Sequence, residues 1–171
     1  RVLTWENRPI HAVYHASNGG VAAGFEEAWN GAPLPYLKAS PDGPATFAAR
    51  FPLPLAPSSM ATLLAGGKDA YGADHPLFRW QRRLTAEGVA QALGSPAAVG
   101  RIQALEVRER GPSGRVLALA IRGSAGERLL RLDAIRRTLR TLPSTLFTLV
   151  PEGPGVWLVR GGGFGHGAGL S

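Results

Sequence analysis

The sequence contains no cysteine. That excludes disulfides, thiolate nucleophiles and cysteine-ligated zinc, and it leaves the compartment open. No run of 18 apolar residues occurs, so no segment reads as a membrane-spanning helix, and no stretch has the layout of a signal peptide. Acidic residues are scarce: 12 Asp and Glu face 19 Lys and Arg, for a net charge of +7. A surface this basic favours polyanions, whether nucleic acid, anionic lipid or an acidic cell-wall polymer. What abounds is glycine (23) and proline (14), which implies many turns and short elements. Over 171 residues, 44% hydrophobic and 18% charged content fits one folded domain with a buried core. The sequence opens at Arg1 and stops at Ser171 inside a glycine-rich motif, and it reads as a piece truncated at both ends.

Periodicity places the elements. Val2–Trp5 and Ile10–Tyr14 read as two short strands about a turn at 6–9, with His11, Val13 and His15 on one face of the second. Residues 39–78, dense in proline and broken by Gly66, Gly67 and Gly72, read as a long irregular surface excursion. One or two helical turns are expected within it, at Met60–Leu64. Phe78–Leu84 alternates as a strand, and Thr85 is an N-cap for a helix over Ala86–Leu93 that ends at Gly94. Gln103–Glu109 and Arg115–Ile121 form a hairpin with one buried side around Gly111–Gly114. Asp133 is expected to cap a helix over Ala134–Arg140, with Arg136, Arg137 and Arg140 on its exposed arc. Phe147–Val150 and Val156–Arg160 close the chain as a hairpin around 152–155. Hairpins mixed with isolated short helices predict an α+β fold, mostly antiparallel, in one domain.

The stretch Tyr14–Lys38 reads as the site. Its apolar residues follow neither a helical nor a strand period, and glycine and proline fix its backbone. Asn18-Gly19-Gly20 supplies a tight turn. Polar and aromatic side chains on such a frame suit a binding surface. Taken singly, each has an ordinary reading as well. His15 fits a hydrogen-bonded structural histidine, and Glu26 and Glu27 fit solvated carboxylates, since a general acid needs burial. Trp29 and Tyr36 read as part core and part platform for a sugar ring. The tail Gly161–Gly169 holds a GxGxxA match from Gly163 to Ala168, but the helix and strand of a dinucleotide site do not follow, and the Lys-Ser/Thr of a phosphate loop is missing. It is either a structural turn or a bare backbone that lets a sugar or peptide approach His166. His11 and His15 lack the Glu and the helix of a metal pair, so no metal site and no cofactor are expected. The clusters Arg79, Arg82, Arg83 and Arg136, Arg137, Arg140 read as solvated faces; without interleaved aromatics they do not predict nucleic-acid binding.

Several of these motifs together resemble a known family. His15-Ala-Ser17-Asn18-Gly19-Gly20, Glu26-Glu27-Ala-Trp29-Asn-Gly31, Pro35-Tyr36-Leu37, the Trp80–Leu93 segment, Ser144-Thr145-Leu146-Phe147 and Gly163–Ser171 resemble the SpoIID/LytB (stage II sporulation protein D / amidase enhancer) domain of bacterial cell-wall proteins. The resemblance covers nearly all of the chain. It implies peptidoglycan glycan strands as substrate, an extracytoplasmic location in the cell wall, the periplasm or on the outer face of the membrane, and lytic-transglycosylase chemistry. In that chemistry a glutamic acid protonates the glycosidic oxygen and the sugar's own C6 hydroxyl closes an anhydro ring. The Gly-Glu-Met-Pro-like segment of the family is absent here, which places the acid upstream of Arg1. Zinc binding through cysteines does not carry over. His15, Ser17, Asn18, Gly19, Glu26, Trp29, Tyr36, Phe164 and His166 are expected to line the glycan groove, with the His15–Gly20 turn beside the Gly163–Ser171 loop and strands Ile10–Tyr14 and Val156–Arg160 adjacent in one sheet. The alternative is a non-catalytic module that partners a cell-wall amidase. Any membrane association would come from a segment outside these residues.

Overall fold

A computed structural model describes residues 2–94 and 99–171. The chain opens with a small hairpin, β1 (Thr4–Trp5) against β2 (Arg8–Pro9), turned at Glu6 and Asn7, both with positive φ. The expected return strand over Ile10–Tyr14 does not form. The chain leaves the hairpin at Ile10, and residues 13–15 spend their backbone groups on the C-terminal tail instead. Strand β3 (Val21–Ala22) pairs with β4 (Ser40–Pro41), and between them lies the short helix α1 (Phe25–Ala28).

Residues 39–78 are not a surface excursion. Helices α2 (Ala45–Arg50) and α3 (Pro57–Ala65) bury Phe47, Phe51, Met60, Leu63 and Leu64 against Val21, Phe78 and Leu146 in a second core. The prolines mark element ends, as at Pro57 in the first turn of α3, where the missing N–H costs nothing. Tertiary packing of these apolar side chains overrides the turn-rich composition.

Strand β5 (Trp80–Thr85) runs directly into α4 (Ala86–Leu93). Thr85 accepts a hydrogen bond from Gly88 N–H, and Gly94 adopts the left-handed conformation past the helix end, as the sequence predicts. The next hairpin, β6 (Ile102–Arg110) and β7 (Val116–Gly123), gains a third strand, β8 (Gly126–Arg131), which is half charged and exposed except at Leu130 and therefore carries no clear periodic signal. β7, the central strand of the three, is buried on both faces, at Ala118 and Ala120 as well as Leu119 and Ile121, not on one. Helix α5 (Ala134–Thr138) is shorter than expected. Asp133 is itself helical and makes no cap; its carboxylate pairs with Arg136 instead.

The closing hairpin, β9 (Phe147–Gly153) and β10 (Val156–Gly161), joins β5 in a sheet of order β5-β10-β9. The main core lies between this sheet, α4, α5 and the β6-β7-β8 sheet, around Trp80, Leu119, Ile121, Ile135, Phe147 and Trp157. The fold is α+β with antiparallel sheets.

Candidate functional site

The C-terminal tail folds back along residues 13–23. Tyr14 bridges Leu170 and Ala23 bridges Ala168 in parallel, and Ser17 bridges Phe164 antiparallel. His15 N–H donates to Leu170 O (2.9 Å), Phe164 N–H to Ser17 O (2.8 Å) and Ala23 N–H to Gly167 O (2.8 Å). The turn and the tail thus form one surface, but by pairing with each other; β10 lies between β5 and β9, with no strand at Ile10–Tyr14 beside it.

Backbones this close require glycine. A Cβ on Gly163 would lie 2.6 Å from Ser17 O, and Gly163 also has φ +83, a conformation other residues adopt only at a cost. Two more of the sequence motifs fasten the same segment. The Trp80 indole N–H donates to Gly163 O (3.0 Å) and the Ser144 hydroxyl to Gly162 O (2.6 Å). Segments far apart in sequence therefore converge on the tail glycines.

Two arginines hold the turn from below. Arg115 is fully buried; its guanidinium donates to Asn18 O (2.9 Å) and Val21 O (2.8 Å). Arg79 donates to Gly19 O (2.9 Å) and to the Leu63 and Gly66 carbonyls. Arg79 is not part of a solvated face: burial pulls its pKa down to about 10, and it does the same to Arg115, where the charge of Glu27 partly opposes it. Both stay cationic at neutral pH.

Glu27, too, departs from the expected solvated carboxylate. It is 1% exposed, and its oxygens accept from Gly24 N–H (2.7 Å), Ser113 N–H (2.9 Å) and the Ser113 hydroxyl (2.7 Å). Ser113 Oγ in turn accepts from Arg115 (3.1 Å). The chain Glu27–Ser113–Arg115 ties α1 and the β6–β7 turn to the Asn18–Gly20 turn. Asn18 completes the frame: Oδ1 accepts from Gly20 N–H (2.8 Å), and Nδ2 donates to the Asp42 carboxylate.

Above this frame stand the aromatic rings. His15 and His166 meet edge to face at 5.7 Å, Trp29 lies 4.7 Å from His166, and Phe25 lies 5.0 Å from Trp29. His15 Nδ1–H donates to Ala168 O (3.0 Å), which makes Nε2 an acceptor; that atom has no partner and is closed to solvent. His166 Nδ1 accepts from Ala168 N–H (3.1 Å), so its proton sits on Nε2. Burial, above all, lowers both pKa values. The Ala168 carbonyl and Asp42 oppose this at His15, and Asp133 and the Tyr14 backbone oppose it at His166; Arg115 adds to the lowering at both, and Arg136 at His166. The imidazoles are neutral at pH 7.

The reachable face holds the half-buried, paired rings of Trp29 and His166; Phe164, 42% exposed, lies two residues before His166 in the tail. His15, Ser17, Asn18 and Gly19 form the buried wall behind it. Glu26 is half-buried on α1, three residues before Trp29. Tyr36 stands apart and packs on Trp5 at 6.1 Å. Two clefts border the face. One of about 440 Å³ is lined by Trp29, Asn30, Asp133 and Arg137, and the other, about 510 Å³, by Phe164, Arg82, Arg136, Arg137 and Arg140. Among the described residues no group of three or more His, Asp or Glu is arranged to hold a metal ion. The residues that sequence reasoning missed are Arg79, Arg115, Glu27 and Ser113. Only Arg115, a charge at the head of an otherwise apolar strand, carried a signal.

No curated protein matches the sequence significantly. Residues 23–169 match a family model described as a domain of unknown function, DUF8618. The matched span takes in Glu27, Trp29, Trp80, Arg115, Ser144 and His166 and begins just after the His15–Gly20 turn. It covers most of the chain, which therefore belongs to the DUF8618 family.

Proposed function

We propose that this chain binds peptidoglycan glycan strands on its Trp29–His166–Phe164 face, as the substrate-holding part of a lytic-transglycosylase-type domain outside the cytoplasm. The observation that carries the reading is the aromatic face itself, whose tail residues are paired backbone to backbone with a turn that Arg115 and Arg79 hold by its carbonyls. Sugar rings present apolar C–H faces edged with hydroxyls. Trp29 and Phe164 offer apolar faces, and the His166 imidazole packs against Trp29 as a polar neighbour. A face fixed before binding loses little further conformational freedom when the ligand arrives.

The same geometry supports binding over cleavage by these residues. Glu27 turns its oxygens inward onto Gly24 and Ser113, leaving Glu26 as the partly exposed carboxylate of α1. The general acid implied by the SpoIID/LytB resemblance would come from a segment outside the sequence. The inward orientation of Glu27 also favours the second reading, a non-catalytic module that stimulates a cell-wall amidase.

Co-sedimentation with purified insoluble peptidoglycan tests the proposal. The wild-type chain should pellet with the polymer, and Trp29→Ala should weaken binding about tenfold or more, as expected for a central aromatic contact. Mass spectrometry should find no anhydro-sugar ends. Failure to pellet would refute the glycan reading, and anhydro ends made by the chain alone would refute the binding-only assignment and direct attention to Glu26. Addition of a purified amidase separates the two readings: faster peptide release supports the stimulating module.

A further inference from the structure

We infer that the cleft beside Phe164 is an anion subsite, built to take the acidic groups of a polymer whose rings lie on the adjoining aromatic face. The identity of that polymer rests on the peptidoglycan reading; the anion site does not.

The cleft, about 510 Å³, gathers Arg82 from β5, Arg136 and Arg137 from α5, and Arg140 just beyond it. These four guanidiniums share one carboxylate, Asp133, at 3.0 Å from Arg136 and 3.6 Å from Arg137. Arg82 donates to the Gln81 carbonyl, and Arg140 has no carboxylate partner among the described residues. Elsewhere on the surface Arg50 is matched by Asp69, Arg83 by Glu152, Arg122 by Glu106 and Arg131 by Glu109, while Arg8, Arg101, Arg128 and Arg160 have no carboxylate partner among the described residues but line neither this cleft nor the one beside Trp29. A concentration of unmatched charge in a concave site attracts and focuses anions. The planar guanidinium fork fits carboxylate and phosphate oxygens two at a time.

Two features tie this cleft to the aromatic face. Phe164 is one of its walls and is bonded backbone to backbone with Ser17. Arg137 lines both this cleft and the one beside Trp29. A ligand that covers Trp29 and Phe164 therefore passes the guanidiniums, and its chemistry is a saccharide bearing anionic groups. On a cell-wall polymer those groups are either carboxylates of the peptide stems or phosphodiesters of an attached polymer.

The test uses inorganic tripolyphosphate, an anion without a sugar ring, titrated calorimetrically into the full chain at low salt. Arg82→Gln/Arg140→Gln removes two charges from the cleft. Arg101→Gln/Arg128→Gln removes two exposed charges elsewhere and controls for net charge. Thermal unfolding checks that both variants fold. The cleft variant should weaken binding about tenfold or more, from loss of charge-assisted contacts, and the control less than about twofold. Equal losses, no loss, or no binding by the wild type would overturn the site. Pelleting with cell-wall material before and after extraction of its phosphate polymer then identifies the source. Arginine-dependent binding that disappears on extraction marks phosphodiesters, and binding that persists marks carboxylates. Trp29→Ala should retain tripolyphosphate binding, so failure of the glycan reading and failure of the anion site give different results.

Discussion

Removing the Glu27 side chain should come close to unfolding the protein. In Glu27→Ala, the N–H groups of Gly24 and Ser113 lose their acceptor in a place water does not reach. Each orphaned buried donor costs about 1–3 kcal/mol. Arg115, wholly buried, also loses the negative charge that offsets its own desolvation. Breaking a buried charged network typically costs about 3–5 kcal/mol, in line with the sum for the two donors. A domain of this size has on the order of 5–15 kcal/mol in total, so the variant should be marginal. Glu27→Gln keeps the shape and one acceptor oxygen but turns an NH₂ toward one of the two donors, so it should cost about half as much. Urea denaturation of the three proteins at pH 7 measures the differences, provided the slopes agree. A cost below about 1 kcal/mol for the alanine variant would refute the network as the support of the turn, as would a glutamine variant no more stable than the alanine one.

Three further outcomes follow from the same geometry. Gly163→Ala forces a side chain into a left-handed backbone against Ser17 O, and it should lower stability by about 2 kcal/mol or more, read as a drop in thermal midpoint. Thr85→Ala removes the acceptor for Gly88 N–H and should cost about 1 kcal/mol, with no change in peptidoglycan binding. Because His15 and His166 titrate below their ordinary value in the folded chain, the unfolded chain binds more protons once pH falls below about 6.5, and stability should decline from there on acidification; a His15→Asn/His166→Asn pair should flatten that slope in urea melts at pH 5 and 7.5.

Where one residue type has one local job, the fold could be read from the sequence. Thr85 and Gly94 bracket α4 because a hydroxyl acceptor and a left-handed residue serve helix ends through the backbone next to them. The β6–β7 and β9–β10 hairpins follow from alternation and turn glycines. Legibility fails where partners are distant. The helical turns expected at Met60–Leu64 are part of α3, but α2 lies in a stretch whose prolines and glycines suggest irregular chain, and Phe47, Phe51 and Met60 find a core with Val21 and Leu146. Strand β8 has almost no apolar pattern and exists because β7 offers it an edge.

The site divides along the same line. The residues that mark it in the sequence are the ones whose type is conspicuous: His15, Trp29, Phe164, His166 and the alternating glycines. Those that position it are polar residues whose burial, Arg115 apart, no local pattern reveals. Glu27 follows Glu26 in the chain, and side by side they look like one solvated pair. A four-residue helix sends the second inward to Gly24 and Ser113 while the first stays at the surface. Arg79 and Arg82 likewise look like members of one basic cluster. Arg79 turns under Gly19 and Arg82 lines the cleft beside Phe164. Within each pair, one charge goes to the frame and the other to the surface. A charged residue in this chain therefore takes its role from which backbone carbonyl or N–H it meets across the fold, and composition alone cannot carry that information.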